Sequence, residues 1–275
     1  MSMDDIAPTN TAIATSPADL ADKRFVLATD LDGTFLGGSD EDRKTLYDWI
    51  EANRETIGLI FVTGRDPDFI HALCDSNVPW PDYVVGDVGT TIASVTNQKV
   101  VPIEALEEEI AGLWDDSGAR VRDALEGHGG LTLQPTDFRY RVSYDMDPKS
   151  FTRESIDTVH EMGLDHIVSD SRYFDVLPKG ISKGPSLKRL VAHLGISPNR
   201  VLAAGDTLND LSMLECGLPA VAVGGAETAL IERIETLDHV HIAKAVGAAG
   251  ILEAVEAFDL HDIPASAASE QSQTT

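Results

Sequence analysis

Residues 29–37 read TDLDGTFLG and follow the apolar run FVLA at 25–28. Asp30 and Asp32 thus stand two residues apart at the end of what reads as a buried strand. Two carboxylates this close repel, and burying both without a counter-ion is costly. The pair is either solvated in an ordinary turn or faces something positive, and the rest of the chain decides between these.

Working outward, EDRKTLYDWIEANR has helical spacing with Leu46, Trp49 and Ile50 on one side. GLIFVTG is a second buried-strand candidate, and a helix around DPDFIHALCDS follows with Pro67 in its first turn. DYVVGDVGTTIAS reads as a third strand running into a glycine-rich turn. This βαβαβ order predicts a parallel sheet with right-handed crossovers. After Pro102 the pattern changes. EALEEEIAGLWDDSGARVRDALEG predicts one long acidic helix, and LTLQPTD, RYRVSYD, HIVSDS and RYFDVLP read as strands around the helix SFTRESIDTVHEMG. They suggest a small α+β unit on an antiparallel sheet. Past Gly180 the βα rhythm resumes through SKGPSLKRLVAHLG, RVLAAGD, LNDLSMLECG, PAVAVGG and AETALIERIETL, and ends with HVHIAK and GAAGILEAVEAF. The expected organisation is one α/β core over 22–102 and 179–262, interrupted by an inserted domain over 103–178. A loose leader, 1–21, and a frayed tail, 263–275, flank it.

With 275 residues, 43% of them hydrophobic, the chain can bury a sizeable core and is globular in composition. No run approaches the roughly 18 apolar residues of a membrane span, and the acidic start lacks the basic and apolar segments of a secretory signal. Cys74 and Cys216 carry no metal spacing and read as reduced residues of a cytoplasmic protein. The formal charge is −25, from 46 acidic against 21 basic residues, which disfavours nucleic acid and anionic membranes as partners. The excess admits two accounts: salt adaptation through a hydrated acidic surface, or an ordinary acidic protein whose tails exaggerate the imbalance.

Ligands of open parallel sheets collect at the carboxyl ends of the strands. Predicted core strands end at Asp30–Thr34, at Thr63–Gly64–Arg65, and at Gly205–Asp206 followed by Asn209–Asp210, while Lys183 opens the helix before the last of these. Asp30, Asp32, Asp206 and Asp210 cannot share a pocket without a cation. Oxygen ligands without His or Cys favour a hard ion, and Mg²⁺ commonly bridges to phosphate oxygens. Thr63, Lys183 and glycine-flanked N–H groups are what a phosphate dianion needs. The paired aspartates become tolerable once Mg²⁺ and a phosphate complete the site.

TDLDGT, VTGR, SKG on a helix and GDTLND, in that order, resemble the four motifs of the haloacid dehalogenase superfamily of phosphohydrolases. The insertion between the second and third motifs resembles its branch with the large cap there, subfamily IIB. Within it, PDYVVGDVGTTI, RYRVSYD and YFDVLPKGISKG look similar to sucrose-phosphate phosphatase and to glucosylglycerol-phosphate phosphatases. The resemblance implies a Rossmann-like α/β core with an inserted α+β cap of the C2 type. It implies Asp30 as the nucleophile that forms an aspartyl-phosphate, and Asp32 as acid and then base. Metal would be held by Asp30, the Asp32 carbonyl, Asp206 and Asp210. Thr63, Gly64, Lys183 and Asn209 would bind phosphate or orient the reacting groups. Asp175 and Lys179 fall where the resemblance has sugar hydroxyls gripped.

Other residues keep two accounts. Arg65 reaches substrate or makes a surface ion pair. Thr90 and Thr91 face the cleft near the cap hinge or cap a turn, and Asp175 and Lys179 could equally form a hinge salt bridge. Trp49, Trp80 and Trp114 read as packing residues, and Glu107–Glu109 as a solvated helix face. The expected activity is a Mg²⁺-dependent phosphatase for a small phosphorylated sugar or glycoside, acting as a monomer. A sugar phosphomutase is disfavoured, because only the turn GGSDED separates the first motif from the next helix. A non-catalytic binding module with a vestigial site is disfavoured because Asp30, Asp32, Lys183 and Asp206 are all present.

Overall fold

The computed structural model describes residues 19–169, 171–265 and 267. The expected leader and tail fall mostly outside them, but Leu20 is fully buried in the core, and Ile263 packs against it.

The first half of the core runs β1 (Phe25–Thr29), α1 (Asp40–Ala52), β2 (Ile57–Val62), α2 (Ile70–Cys74), β3 (Tyr83–Gly86), β4 (Thr91–Thr96) and β5 (Lys99–Pro102). The inserted segment holds α3 (Glu104–Trp114), α4 (Gly118–Ala124), β6 (Leu131–Leu133), β7 (Val142–Met146), α5 (Arg153–Glu161), β8 (Asp165–Ser169) and β9 (Tyr173–Leu177). The core resumes with α6 (Lys183–His193), β10 (Val201–Gly205), α7 (Leu211–Leu214), β11 (Ala220–Gly224), α8 (Thr228–Ile234), β12 (Val240–Val246) and α9 (Ala248–Ala257).

The core sheet has eight strands in the order β12-β11-β10-β1-β2-β3-β4-β5. β1, β2 and β10 are buried along their whole length, as strands covered on both faces must be. Alternate residues serve opposite faces. Val26, Ala28, Ile60 and Val62 pack under Leu187, Leu190, Met213 and Leu230. Phe25, Leu27, Leu59 and Phe61 pack under Leu46, Ile50, Ile251 and Val255. The strand order reverses between β1 and β10, which opens a crevice at their carboxyl ends.

The structure departs from the sequence reading in three places. β4 and β5 extend the sheet as an antiparallel hairpin, with Thr96 paired to Lys99 across Asn97 and Gln98. Both turn residues have positive φ, 52° and 60°, the conformation of a two-residue hairpin loop. The predicted long acidic helix is two helices, because Asp115 and Asp116 adopt φ of 48° and 50°, a left-handed stop that short polar residues tolerate. The Glu107–Glu109 run is not simply solvated: Glu107 accepts from Arg139 and from Tyr140, and Glu109 accepts from Arg189. α3 therefore lies across the joint. Its Leu106 and Ile110 enter the core cluster, while its Trp114 enters the inserted segment's own cluster with Phe174 and Val176. That segment carries a four-stranded antiparallel sheet in the order β6-β7-β9-β8. Among the described residues no helix is long and apolar enough to cross a membrane.

Candidate active site

Asp30 continues the β1 ladder for one residue, its N–H bonded to the Ala204 carbonyl at 2.8 Å. The chain then folds back over the strand end, with Phe35 N–H on the Asp30 carbonyl. Gly33 permits this at φ 82°, and a Cβ there would lie 2.1 Å from Asp206 Oδ2. Thr34 Oγ1 instead donates to Asp206 Oδ1 at 2.6 Å. The first motif and the end of β10 are thus packed in direct contact.

Lys183 fills the space beneath them and is fully buried. Its ammonium group donates to Asp30 Oδ1 at 2.6 Å, Asp210 Oδ1 at 2.7 Å and Asn209 Oδ1 at 2.8 Å. All of its donors are used. Gly184 allows that approach, since a Cβ there would lie 1.8 Å from the Ser212 carbonyl. Asp210 is also fully buried, and its second oxygen accepts from the backbone N–H groups of Asp206 and Thr207 at 3.1 Å.

One lysine does not balance this charge. Burial, then the Asp210 charge, pushes the Asp30 carboxyl up to about 8 against the pull of Lys183. Burial likewise pushes Asp206 up to about 6, although the Thr34 hydrogen bond opposes it. Burial disfavours the Lys183 charge, but Asp210 and Asp30 together hold its pKa above the ordinary lysine value. Asp30, Asp206 and Asp210 each offer a carboxylate oxygen within 4.8 Å of the others. An all-oxygen set with surplus negative charge fits a hard divalent cation such as Mg²⁺.

The neighbouring strand ends close the site. Thr63, 2% exposed, continues β2 and accepts from the Arg65 N–H at 3.2 Å. The Arg65 guanidinium lies over the Phe69 ring and donates to Asp32 Oδ1 at 2.7 Å. Asp32 faces outward, its side chain 61% exposed. After β3, Asp87 and Val88 have φ of 51° and 60°. Such a conformation is strained for a β-branched residue, and Val88 lines the site.

A cleft of about 420 Å³ joins these groups to the inserted sheet. Asp30, Asp32, Thr63, Gly64, Arg65, Lys183 and Asn209 line it from the core, and Gln134, Arg141, Ser169, Tyr173 and Asp175 from the other side. Of the residues expected from sequence, Asp206 and Asp210 are not part of this lining, and neither are Thr90 and Thr91. Their hydroxyls bond to the carbonyl and carboxylate of Asp87, which fixes the strained turn. Lys179 is exposed and also lies outside the lining. Arg141 is the main residue that sequence reasoning missed. It is 6% exposed and lies between Asp87 and Asp175, each at 3.5 Å. The signal was present in RYRVSYD, an arginine at the start of a strand whose flanking residues are apolar.

The family model of sucrose-6F-phosphate phosphohydrolase matches residues 23–259. Over 236 residues, 85% of this chain, it is 40% identical to a glucosylglycerol-phosphate synthase of Pseudomonas anguilliseptica, of which it spans only 31%. It is 27% identical to a mannosylfructose-phosphate phosphatase of Agrobacterium fabrum, covering 86% of this chain and 97% of that one. The sucrose-phosphatase of Synechocystis, solved with sucrose and phosphate, superposes with a TM-score of 0.77 over 86% of this chain and 98% of that one. At 23% identity that likeness concerns the fold, a Rossmann-like α/β core with an inserted cap. The chain belongs to the sucrose-6F-phosphate phosphohydrolase family, among the haloacid dehalogenase-type sugar-phosphate phosphatases, and is a phosphoric monoester hydrolase.

Proposed function

We propose that this enzyme is a Mg²⁺-dependent phosphatase of a phosphorylated glycoside of the glucosylglycerol-phosphate or sucrose-6-phosphate type, working through an aspartyl-phosphate. The observation that carries the mechanism is the buried Asp30 carboxylate, gripped by Lys183 and opening into a cleft whose mouth holds Asp32. Mg²⁺ held by Asp30, Asp206 and Asp210 would supply the positive charge that lets a phosphate dianion enter.

Asp30 attacks phosphorus as the bond to the sugar oxygen breaks, and Asp32 gives that oxygen its proton. Asp32 then takes a proton from water, which attacks the aspartyl-phosphate and frees Asp30. The Thr63 hydroxyl and the Gly64 N–H hold phosphate oxygens, the Lys183 ammonium offsets charge on Asp30, and Asn209 orients the substrate. Arg65 orients Asp32 through the 2.7 Å contact. The cap shields the reaction from water and reads the organic part of the substrate.

Between the two substrate types, the first is favoured by the 40% identity to a protein named for glucosylglycerol-phosphate. Both described cysteines are free, in keeping with a cytoplasmic enzyme, and we take it to act as a monomer. The test is phosphate release from glucosylglycerol-phosphate, sucrose-6-phosphate, mannosylfructose-phosphate and glucose-6-phosphate, with Mg²⁺ and with EDTA. One glycoside phosphate turned over at least about tenfold faster than the others, and silence in EDTA, is the expected result. Equal turnover of all four, or turnover that survives EDTA, overturns the proposal.

A further inference from the structure

Outside the catalytic cleft, two imidazoles meet at the edge of the cap. His160 lies in the last turn of α5 and His166 on the edge strand β8, and His160 Nε2 stands 3.1 Å from His166 Nδ1. Between them the chain turns from helix to strand at Gly163, whose φ is 77°. The His166 ring stacks on Phe174, with centroids 5.6 Å and planes 26° apart, and the β8 backbone holds it opposite Val176. Packing therefore fixes the pair in advance, as a metal site requires of its ligands.

A direct contact between two imidazoles uses one proton: one ring donates and the other accepts. Protonating both rings would set two positive charges against each other. Burial, and then the neighbouring His160, already holds His166 below its ordinary value of 6.5, so this ring is neutral at pH 7. Two neutral rings with facing nitrogens can instead share a metal ion, each keeping its proton on the far nitrogen. Zn–N bonds of about 2.0–2.1 Å, at angles between about 90° and 109°, place two nitrogens about 2.9–3.4 Å apart. The observed 3.1 Å falls inside that interval, so binding asks for a turn of each ring and no separation of α5 from β8.

The surroundings favour a cation. A cavity of about 300 Å³ lined by both histidines also carries the carboxyl groups of Asp165 from the cap and Glu215 from the core. The chain as a whole has a formal charge of −25, which draws cations toward it. Among the described residues only Asp30, Asp206 and Asp210 bring three ligating groups together, so water would complete the coordination of an ion held by the histidines. Ligand chemistry separates the two places: carboxylates suit Mg²⁺, whereas imidazoles suit Zn²⁺, Ni²⁺ and Cu²⁺.

We infer that His160 and His166 form a two-imidazole site for a first-row transition-metal ion such as Zn²⁺, separate from the carboxylate cluster of the core. The inference stands on the cap's own groups and holds or fails whatever phosphorylated substrate the enzyme takes.

Titration calorimetry of the full chain with Zn²⁺, in excess Mg²⁺ to occupy the carboxylates, tests it. The wild type is expected to bind at least about tenfold tighter than His160→Gln or His166→Gln, since each variant loses one imidazole of the pair. His128→Gln removes a cap histidine bonded instead to Ser155, and it should bind like the wild type. With equimolar Cu²⁺, the electron paramagnetic resonance spectrum of the wild type should show coupling to two nitrogens, and that of either site variant to fewer. The wild-type spectrum decides even where a variant fails to fold. Coupling to one nitrogen or none in the wild type, unchanged Zn²⁺ affinity in His160→Gln or His166→Gln, or an equal loss in His128→Gln overturns the inference.

Discussion

Two buried ionic clusters face each other across one cleft and are built to opposite standards. Beneath the strand ends, Lys183 is fully buried and makes hydrogen bonds of 2.6–2.8 Å to Asp30, Asp210 and Asn209. On the cap side, Arg141 is nearly as buried, yet its ionic contacts are 3.5 Å and its Nε has no partner. Both carboxylates there, Asp87 and Asp175, are pushed above the usual carboxylate range, chiefly by burial. In the proposed reaction the core cluster would meet a phosphoryl group whose shape never varies, so rigid preorganisation suits it.

The sharpest way to break this comparison is to remove the nucleophile. Asp30→Asn is expected to lower phosphate release by about 10⁴-fold or more, about 5.5 kcal/mol in the barrier. Retained circular dichroism must accompany the loss, and activity within tenfold of wild type would dismiss Asp30 as the attacking group. Next comes the lysine. Lys183→Met strands Asp30 and Asp210 without their cation, and about 3–5 kcal/mol of stability should be lost in urea denaturation. A wild-type midpoint with unchanged slope would show that the tight cluster is not what holds the strand ends together.

The slack cluster should behave in the other direction. Replacing all three charges together, Asp87→Asn with Arg141→Met and Asp175→Asn, removes the desolvation cost along with the weak attraction. Stability is expected to stay level or rise by about 1 kcal/mol in the same denaturation assay. A loss comparable to that of Lys183→Met would mean the two clusters do the same work.

The smallest effect lies at His166 of β8, in a pocket it shares with Ile181, Leu208 and Leu211 of the core. Burial, and then the neighbouring His160, holds the His166 imidazole below its usual value of 6.5. The unfolded chain therefore binds more protons than the folded one between the depressed value and 6.5. The stability contribution is present above pH 6.5 and is lost as pH falls through the depressed value. Between pH 7 and pH 5 the melting temperature of the wild type should fall further than that of His166→Gln, by about 2 °C. Parallel pH profiles would show that this site is not linked to folding.

The core was legible because its signals are local. Runs such as FVLA and GLIFV are apolar without alternation, which marks strands buried on both faces, and each motif residue sits at or just past such a strand end. Strand reading alone therefore brings Asp30, Thr63 and Asp206 to one edge. The hairpin of β4 and β5 escaped because its turn, Asn97–Gln98, lacks the glycine that usually announces positive φ. The break in the acidic helix escaped for a related reason: Asp115 and Asp116 read as helix surface until their φ values are seen. For Thr90 and Thr91 the sequence leaves two accounts open, and the turn-capping one agrees with the structure, where both hydroxyls bond inward to Asp87.

The sequence by itself determined the parallel strands of the core and the places where they end, because period and strand-end position are encoded within a few neighbouring residues. Only the tertiary structure decided how Lys183 shares its three bonds, that Asp32 meets Arg65, and that Arg141 meets Asp87 and Asp175. Arg141 stands 54 positions from Asp87 and 34 from Asp175. No local period records a pairing over such distances. The Asp175 contact arises when β7 and β9 pair within the cap sheet, and the Asp87 contact when that sheet meets the core turn after β3, where desolvation makes the buried charges seek partners.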